Sequence, residues 1–125
     1  MSIYSVGVDI TQVERIQELI QRHEERFLKR VFTAREIAYC QPKAIRAQCF
    51  AGRFAVKEAV FKAAGTGLRT GMSWQDVEVI NDELGRPSVY LHGATARLFE
   101  GKRIHLSLSH EGTMAIAMVV VEEVL

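Results

Sequence analysis

The chain is poor in the residues that would announce a special environment. Cysteine and proline each occur twice, and tryptophan once, in 125 residues. Cys40 and Cys49 form neither a metal-ligand nor a redox spacing, which excludes a zinc module and a disulfide-stapled miniprotein. They read as buried free thiols, so a cytoplasmic setting is expected. Charge of one sign is also missing: 16 Lys+Arg stand against 15 Asp+Glu, for a formal net charge of +1. No global field therefore draws the chain to nucleic acid or membrane, and any anion site must be local. The longest apolar run, Met114 to Val121, is too short to cross a bilayer. Met1 to Ser5 has no basic stretch leading into an apolar one, so no signal peptide is expected. There is no internal repeat or linker, no Walker loop, no dinucleotide glycine fingerprint and no serine elbow.

What is present suits one globular domain over residues 1–125, with 48% hydrophobic and 25% charged residues. Ile3 to Ile10 alternates as a strand, with Tyr4, Val6, Val8 and Ile10 on one face and Ser5, Gly7 and Asp9 on the other. Gly7 leaves open space on the less apolar face. Thr11 and Glu14 form a capping-box pattern for a helix from Gln12 to about Glu24, which leaves Asp9 free for another partner. That helix carries Val13, Ile16, Leu19 and Ile20 on one side. Arg15, Arg22 and Arg26 around it form either a solvated basic face or a docking surface for an acidic helix. Thr33 to Glu36 is a second capping box, and its short helix ends before Pro42. A long helix is expected over Lys43 to Ala64, with Gly52 marking a bend or a close contact.

The rest reads as period two. Val77 to Ile80 and Ser88 to Leu91 flank a turn containing Arg86 and Pro87, a hairpin. A short helix, Ala94 to Glu100, ends at Gly101. Ile104 to Leu108 is a strand with His105, Ser107 and Ser109 on its polar face and His110 in the following turn. Those groups can bind phosphate or be the wet face of a half-exposed strand. Thr113 to Val121 is apolar on both faces, as a central strand is.

The stretch Arg53 to Gly67 holds the densest chemistry. Phe50, Phe54 and Phe61 make a helical stripe, and Glu58 and Lys62 project together beside it. Gly65 stops the helix, and Thr66-Gly67 lets the backbone approach a ligand. Lys57 lies near the apolar stripe, where it must snorkel out or meet an anion. Asp9 and Glu58 are the acids most available to a divalent cation, with Arg53, Lys57, Lys62 and His110 to balance phosphate charge.

Three blocks in order resemble the holo-acyl-carrier-protein synthases, the small phosphopantetheinyl transferases. They are Val6-Gly7-Val8-Asp9-Ile10, then Phe54-Ala55-Val56-Lys57-Glu58-Ala59 followed by Lys62 to Gly67, then Leu106-Ser107-Leu108-Ser109-His110. The resemblance spans the whole chain. It implies an α+β fold of the 4′-phosphopantetheinyl transferase type, an antiparallel sheet packed against a long helix. It implies transfer of 4′-phosphopantetheine from coenzyme A to a serine of apo-acyl carrier protein, releasing adenosine 3′,5′-bisphosphate, in fatty-acid biosynthesis. Asp9 and Glu58 would ligate Mg²⁺. Glu58, Lys62 and His110 would be catalytic, the proton going to Glu58 or to a water on the ion. Arg53, Lys57, Gly65, Thr66, Gly67, Arg86, Pro87, Ser107 and Ser109 would contact coenzyme A. Arg15, Leu19, Arg22 and Arg26 would dock the carrier. Homotrimers with the coenzyme between subunits are expected. The larger relatives carry an Asp-x-Glu pair at the first block, whereas Thr11 stands here in place of that Glu. A magnesium-dependent pyrophosphate hydrolase and a non-catalytic coenzyme-binding module are the alternatives.

Overall fold

A computed structural model describes residues 2–124. The element order is β1 (Ser2–Gln12), α1 (Val13–His23), α2 (Glu25–Val31), α3 (Ala34–Cys40), α4 (Arg46–Ala64), β2 (Val77–Asn81), β3 (Pro87–Leu91), α5 (Gly93–Leu98), β4 (Lys102–Glu111) and β5 (Met114–Glu123). The expected architecture forms: β1, β5 and β4 make an antiparallel sheet with β5 in the middle, and it packs on α4. β2 and β3 pair as a separate hairpin. The helix α4 is buried on nearly every side, from Ala47 to Ala63. Pro42 and the turns after it delay its start to Arg46, three residues later than the sequence pattern suggests.

The two faces of β1 are used in the opposite sense to the one their polarity suggests. The small and polar face, Ser5, Gly7, Asp9 and Thr11, lies against α4. The greasy face is open: Val6 is 57% exposed and Ile10 60%. Gly7 does not leave space. A Cβ there would fall 2.1 Å from the Ala59 carbonyl oxygen, so glycine lets strand and helix backbones touch. That approach carries Asp9, two residues on, to the last turns of α4.

The first capping box is not formed. β1 runs on through Thr11 to Gln12, and Gln12 is the N-cap without a side-chain bond. The Thr11 hydroxyl instead donates to Asp9 Oδ2 at 2.9 Å. Asp9 is therefore not free of partners. The second capping box forms at Thr33 and Glu36. Glu36 does more than cap: fully buried, it also accepts from the Val79 amide at 2.8 Å and from Lys57 Nζ at 2.8 Å.

Cys40 and Cys49 are bonded to each other, with Cα atoms 5.5 Å apart, which corrects the reading of two free thiols. The turn after α3 folds back and brings the first turn of α4 against the end of α3. Nothing in the spacing of two cysteines nine residues apart signals that return.

Candidate active site

The side chains that could do chemistry fall into two groups on different flanks of α4. Arg53 and Glu58 are five residues apart, which separates them by about 140° around a helix of 3.6 residues per turn.

The acid flank joins β1 to the end of α4. Lys62 Nζ lies 2.9 Å from Asp9 Oδ1 and donates to the Val8 carbonyl at 3.1 Å. Lys62 thus bridges to the strand rather than to Glu58, its helical neighbour. Burial pushes the Glu58 carboxyl above its ordinary range, and the Asp9 charge adds to it; Lys62 and Arg15 pull the other way. Two carboxylates facing each other across a half-buried site, with cations nearby, are the donor set of a hard divalent cation. Asp9 and Glu58 fit that role as a pair. Among the described residues no group of three or more His, Cys, Asp or Glu comes together, so further ligands would be water or substrate oxygens. Gly65 and Gly67 follow Lys62 at φ of 79° and 65°, with no atom within 4 Å of where a Cβ would stand. The Thr66 hydroxyl donates to the Gly67 carbonyl at 3.0 Å. The space beside both glycines is open.

The cation flank is a cleft of about 400 Å³ between α3, α4, the β2–β3 turn and the end of β4. Arg53, Pro87 and His110 line it, and no carboxylate does. Arg53 is only 3% exposed, and its Nε has no hydrogen-bond partner. Its guanidinium stacks on Tyr39 at 4.6 Å and donates to Asn81 Oδ1. Lys43 Nζ sits over the same Tyr39 ring at 4.4 Å. Burial lowers the Arg53 pKa, and Tyr39 and the Glu36 charge oppose that. With Nε unpartnered and no carboxylate in the lining, the cleft could accept an anion. Burial holds the His110 imidazole below its ordinary pKa, and the Arg53 charge lowers it further. The shift favours the neutral imidazole, which can donate or accept.

Tyr39, Lys43, Gln48 and Asn81 line this cleft and were not anticipated. A signal for them exists: from Gln41 to Lys57 the chain holds Lys43, Arg46, Arg53 and Lys57 and no acid.

Lys57 takes no part in either group. It is fully buried, paired with Glu36, and donates to the Trp74 carbonyl at 3.2 Å and to the Val77 carbonyl. Burial pulls its ammonium below the ordinary range and Glu36 opposes that. Its expected contact with a coenzyme phosphate is corrected on this ground: every donor points into the protein. Arg86 stands exposed in the β2–β3 turn, beside a second depression that holds Ser88 and His105. Ser107 and Ser109 are exposed on the outer sheet face, each opposite Met118 or Ile116 of β5, and not in the cleft with His110. Within one chain, His110 lines the cation cleft, and Glu58 and Lys62 do not.

Along α1 and α2, Leu19, Phe27, Val31, Phe54 and Trp74 floor an apolar groove edged by His23, Arg26 and Arg30. Arg15 lies over the Phe54 ring at 5.9 Å, and its charge is felt at Glu58. The basic helix face thus leads to the acid flank.

Comparison with known proteins gives the family. Residues 5–119 match the family model of the 4′-phosphopantetheinyl transferase superfamily. The chain belongs to that superfamily of enzymes. Within it, the chain falls with the holo-[acyl-carrier-protein] synthases. One such enzyme, from Geotalea daltonii, is 50% identical over 97% of this chain and 99% of its own length; another, from Koribacter versatilis, is 47% identical over the same shares. The holo-[acyl-carrier-protein] synthase structure from Neisseria meningitidis superposes with a TM-score of 0.88 at 33% identity, covering 98% of this chain and all of that one. The Helicobacter pylori structure, solved in complex with coenzyme A, gives 0.84 at 32% identity over 94% of this chain and 99% of that one.

Proposed function

We propose that this enzyme transfers 4′-phosphopantetheine from coenzyme A to a serine of apo-acyl carrier protein. Holo-carrier and adenosine 3′,5′-bisphosphate are the products, Mg²⁺ is the metal, and fatty-acid biosynthesis is the setting. Residues 1–125 act as one transferase domain. The observation that carries this reading is the split of α4 into an acid flank and an acid-free cation cleft. Coenzyme A presents both demands at once, a pyrophosphate that needs a cation and a phosphorylated nucleoside that needs positive charge. The Helicobacter pylori relative's complex with coenzyme A supports it.

The carrier serine hydroxyl attacks the pantetheine-side phosphorus. A new P–O bond forms, the bond to the leaving nucleotide phosphate breaks, and the serine proton must be taken up. Such transfer rests on positioning and charge neutralisation. A magnesium ion held by Asp9 and Glu58 would neutralise pyrophosphate charge and polarise the phosphoryl oxygens. Lys62 is poised at Asp9 to add a positive charge beside the attacked phosphate. Glu58, whose proton affinity is raised, suits the role of base. The open backbone at Gly65 to Gly67 receives a phosphate oxygen. Arg53 and Pro87 hold the nucleotide, with His110 as a neutral hydrogen-bonding partner.

One chain points these two halves to different flanks, so the working site takes the acid flank of one subunit and the cleft of its neighbour. The open apolar face of β1 and β5 supports that assembly. Val6, Val8, Ile10, Ile116 and Met118 are each at least 40% exposed, and a second copy would bury them. We assign a homotrimer. Ser107 and Ser109 lie on the same sheet face, so they would contribute from the subunit boundary, with Arg86 at its margin. Arg15, Leu19, Arg22 and Arg26 receive an acidic helix of the carrier at the groove on α1 and α2. Among the described residues no helix is long and apolar enough to cross a membrane. Cytoplasmic residence is proposed from the family alone, because its other support, two free thiols, is absent.

The test is mass spectrometry of apo-acyl carrier protein incubated with the enzyme, coenzyme A and Mg²⁺. A gain of one phosphopantetheine on the carrier is expected. Coenzyme A cleavage that proceeds equally without carrier would make the enzyme a hydrolase instead.

A further inference from the structure

Gly52 sits inside α4, where glycine costs about 1 kcal/mol relative to alanine. It does not adopt a left-handed conformation. Its function must lie in what a side chain there would touch. A Cβ at Gly52 would come within 2.8 Å of His110 Nε2 and 3.4 Å of both Leu108 methyls. These are the two β4 residues that line the cation cleft, and Arg53 is the next residue on the helix. The imidazole therefore rests in a notch made by a missing methyl group. Its neighbours are the Arg53 guanidinium and the Gln48 backbone.

We infer that Gly52 is a positioning residue for coenzyme binding: the notch it leaves seats His110 against α4, so that the ring forms a wall of the nucleotide cleft rather than filling it. This rests on the reading of that cleft as the nucleotide site. The atoms a methyl would meet are ends of side chains, not backbone, so alanine at this position displaces the ring and leaves the helix in place. A displaced ring enters the cleft beside Arg53 and competes with the ligand for the same space.

The test measures affinity for adenosine 3′,5′-bisphosphate by calorimetry in the wild type, Gly52→Ala, His110→Ala and the double variant. Removal of a ring nitrogen that bonds a charged ligand weakens binding by about tenfold. Gly52→Ala is expected to weaken it at least as much, and the double variant is expected to match His110→Ala alone. The KM for coenzyme A should rise in Gly52→Ala while the KM for carrier does not move. Should Gly52→Ala melt early, His110→Ala added to it restores the melting temperature if the ring is the obstacle. Wild-type affinity in Gly52→Ala, losses that multiply in the double variant, or no recovery on adding His110→Ala would overturn the inference. Failure of the wild type to bind the nucleotide at all would remove the cleft reading itself, and this inference with it.

Discussion

On one flank of α4, the Asp9 and Glu58 charges act on each other; on the other, Arg53 lies buried beside a cleft that no carboxylate lines. The acid flank is half-open and its charges are shared: Asp9 answers to Thr11 and Lys62, and Glu58 feels Asp9 and Arg15. The cation flank is enclosed and its charge is propped by an aromatic ring and an amide. The Arg53 Nε keeps no hydrogen-bond partner. The lesson is that a small domain can set a carboxylate pair and a buried guanidinium on separate sides of one helix. On the proposed reading, ligand and a second subunit complete both.

The largest effect should come from the acid flank. Asp9→Ala or Glu58→Ala should lower turnover by roughly 10²–10³-fold, the range for loss of a transition-state charge stabiliser. Melting should stay within a few degrees. Near-normal turnover in saturating Mg²⁺ would break the assignment.

Lys57 sharpens the comparison from inside the helix, because it belongs to neither flank. Lys57→Met leaves Glu36 buried without its counter-charge, and about 3 kcal/mol of stability should be lost in chemical denaturation. Retained stability with lost coenzyme affinity would return Lys57 to the site. Smaller still, Arg22→Glu should raise the KM for carrier about fivefold through lost charge complementarity, with the KM for coenzyme A unmoved.

The smallest effect is a matter of sign. Glu58 has a raised pKa in the folded state, so the folded protein holds its proton more tightly than the unfolded chain does. Stability is then lost as pH rises through the window between the unfolded and folded values. Glu58→Gln should be slightly more stable than wild type at neutral pH, and the difference should vanish in acid below the ordinary carboxylate range. A difference that grows toward acid would reverse the sign and remove burial as the cause.

Much of this was legible in the sequence where the controlling contacts are local. The helix stop at Gly65, the Thr33 and Glu36 box, the β2–β3 hairpin and the central place of β5 follow from short-range pattern. Asp9 and Glu58 were legible as two acids, and the structure brings their charges to act on each other. What escaped depends on partners far along the chain. Lys57 looks like a misfit until Glu36, 21 residues away, is placed beside it. Thr11 looks like a helix cap because its bond to Asp9 competes with capping on equal terms. Alternation in β1 shows two faces but not which is inside. The close approach of Ala59 to Gly7 decides it, and sends the apolar face outward. Tyr39 and Lys43 join the cleft only because the turn after α3 reverses the chain, clasped by the Cys40–Cys49 bond.

The central claim, that one subunit's acid flank works with another's cation cleft, is tested by mixing two disabled variants. Glu58→Ala and Arg53→Ala, each inactive alone, are co-refolded in equal amounts and assayed for holo-carrier formation. Random assembly of a cyclic homotrimer puts both intact halves together at roughly a quarter of the sites, so roughly a quarter of wild-type turnover should return. Turnover that stays at the level of the separate variants would contradict the account.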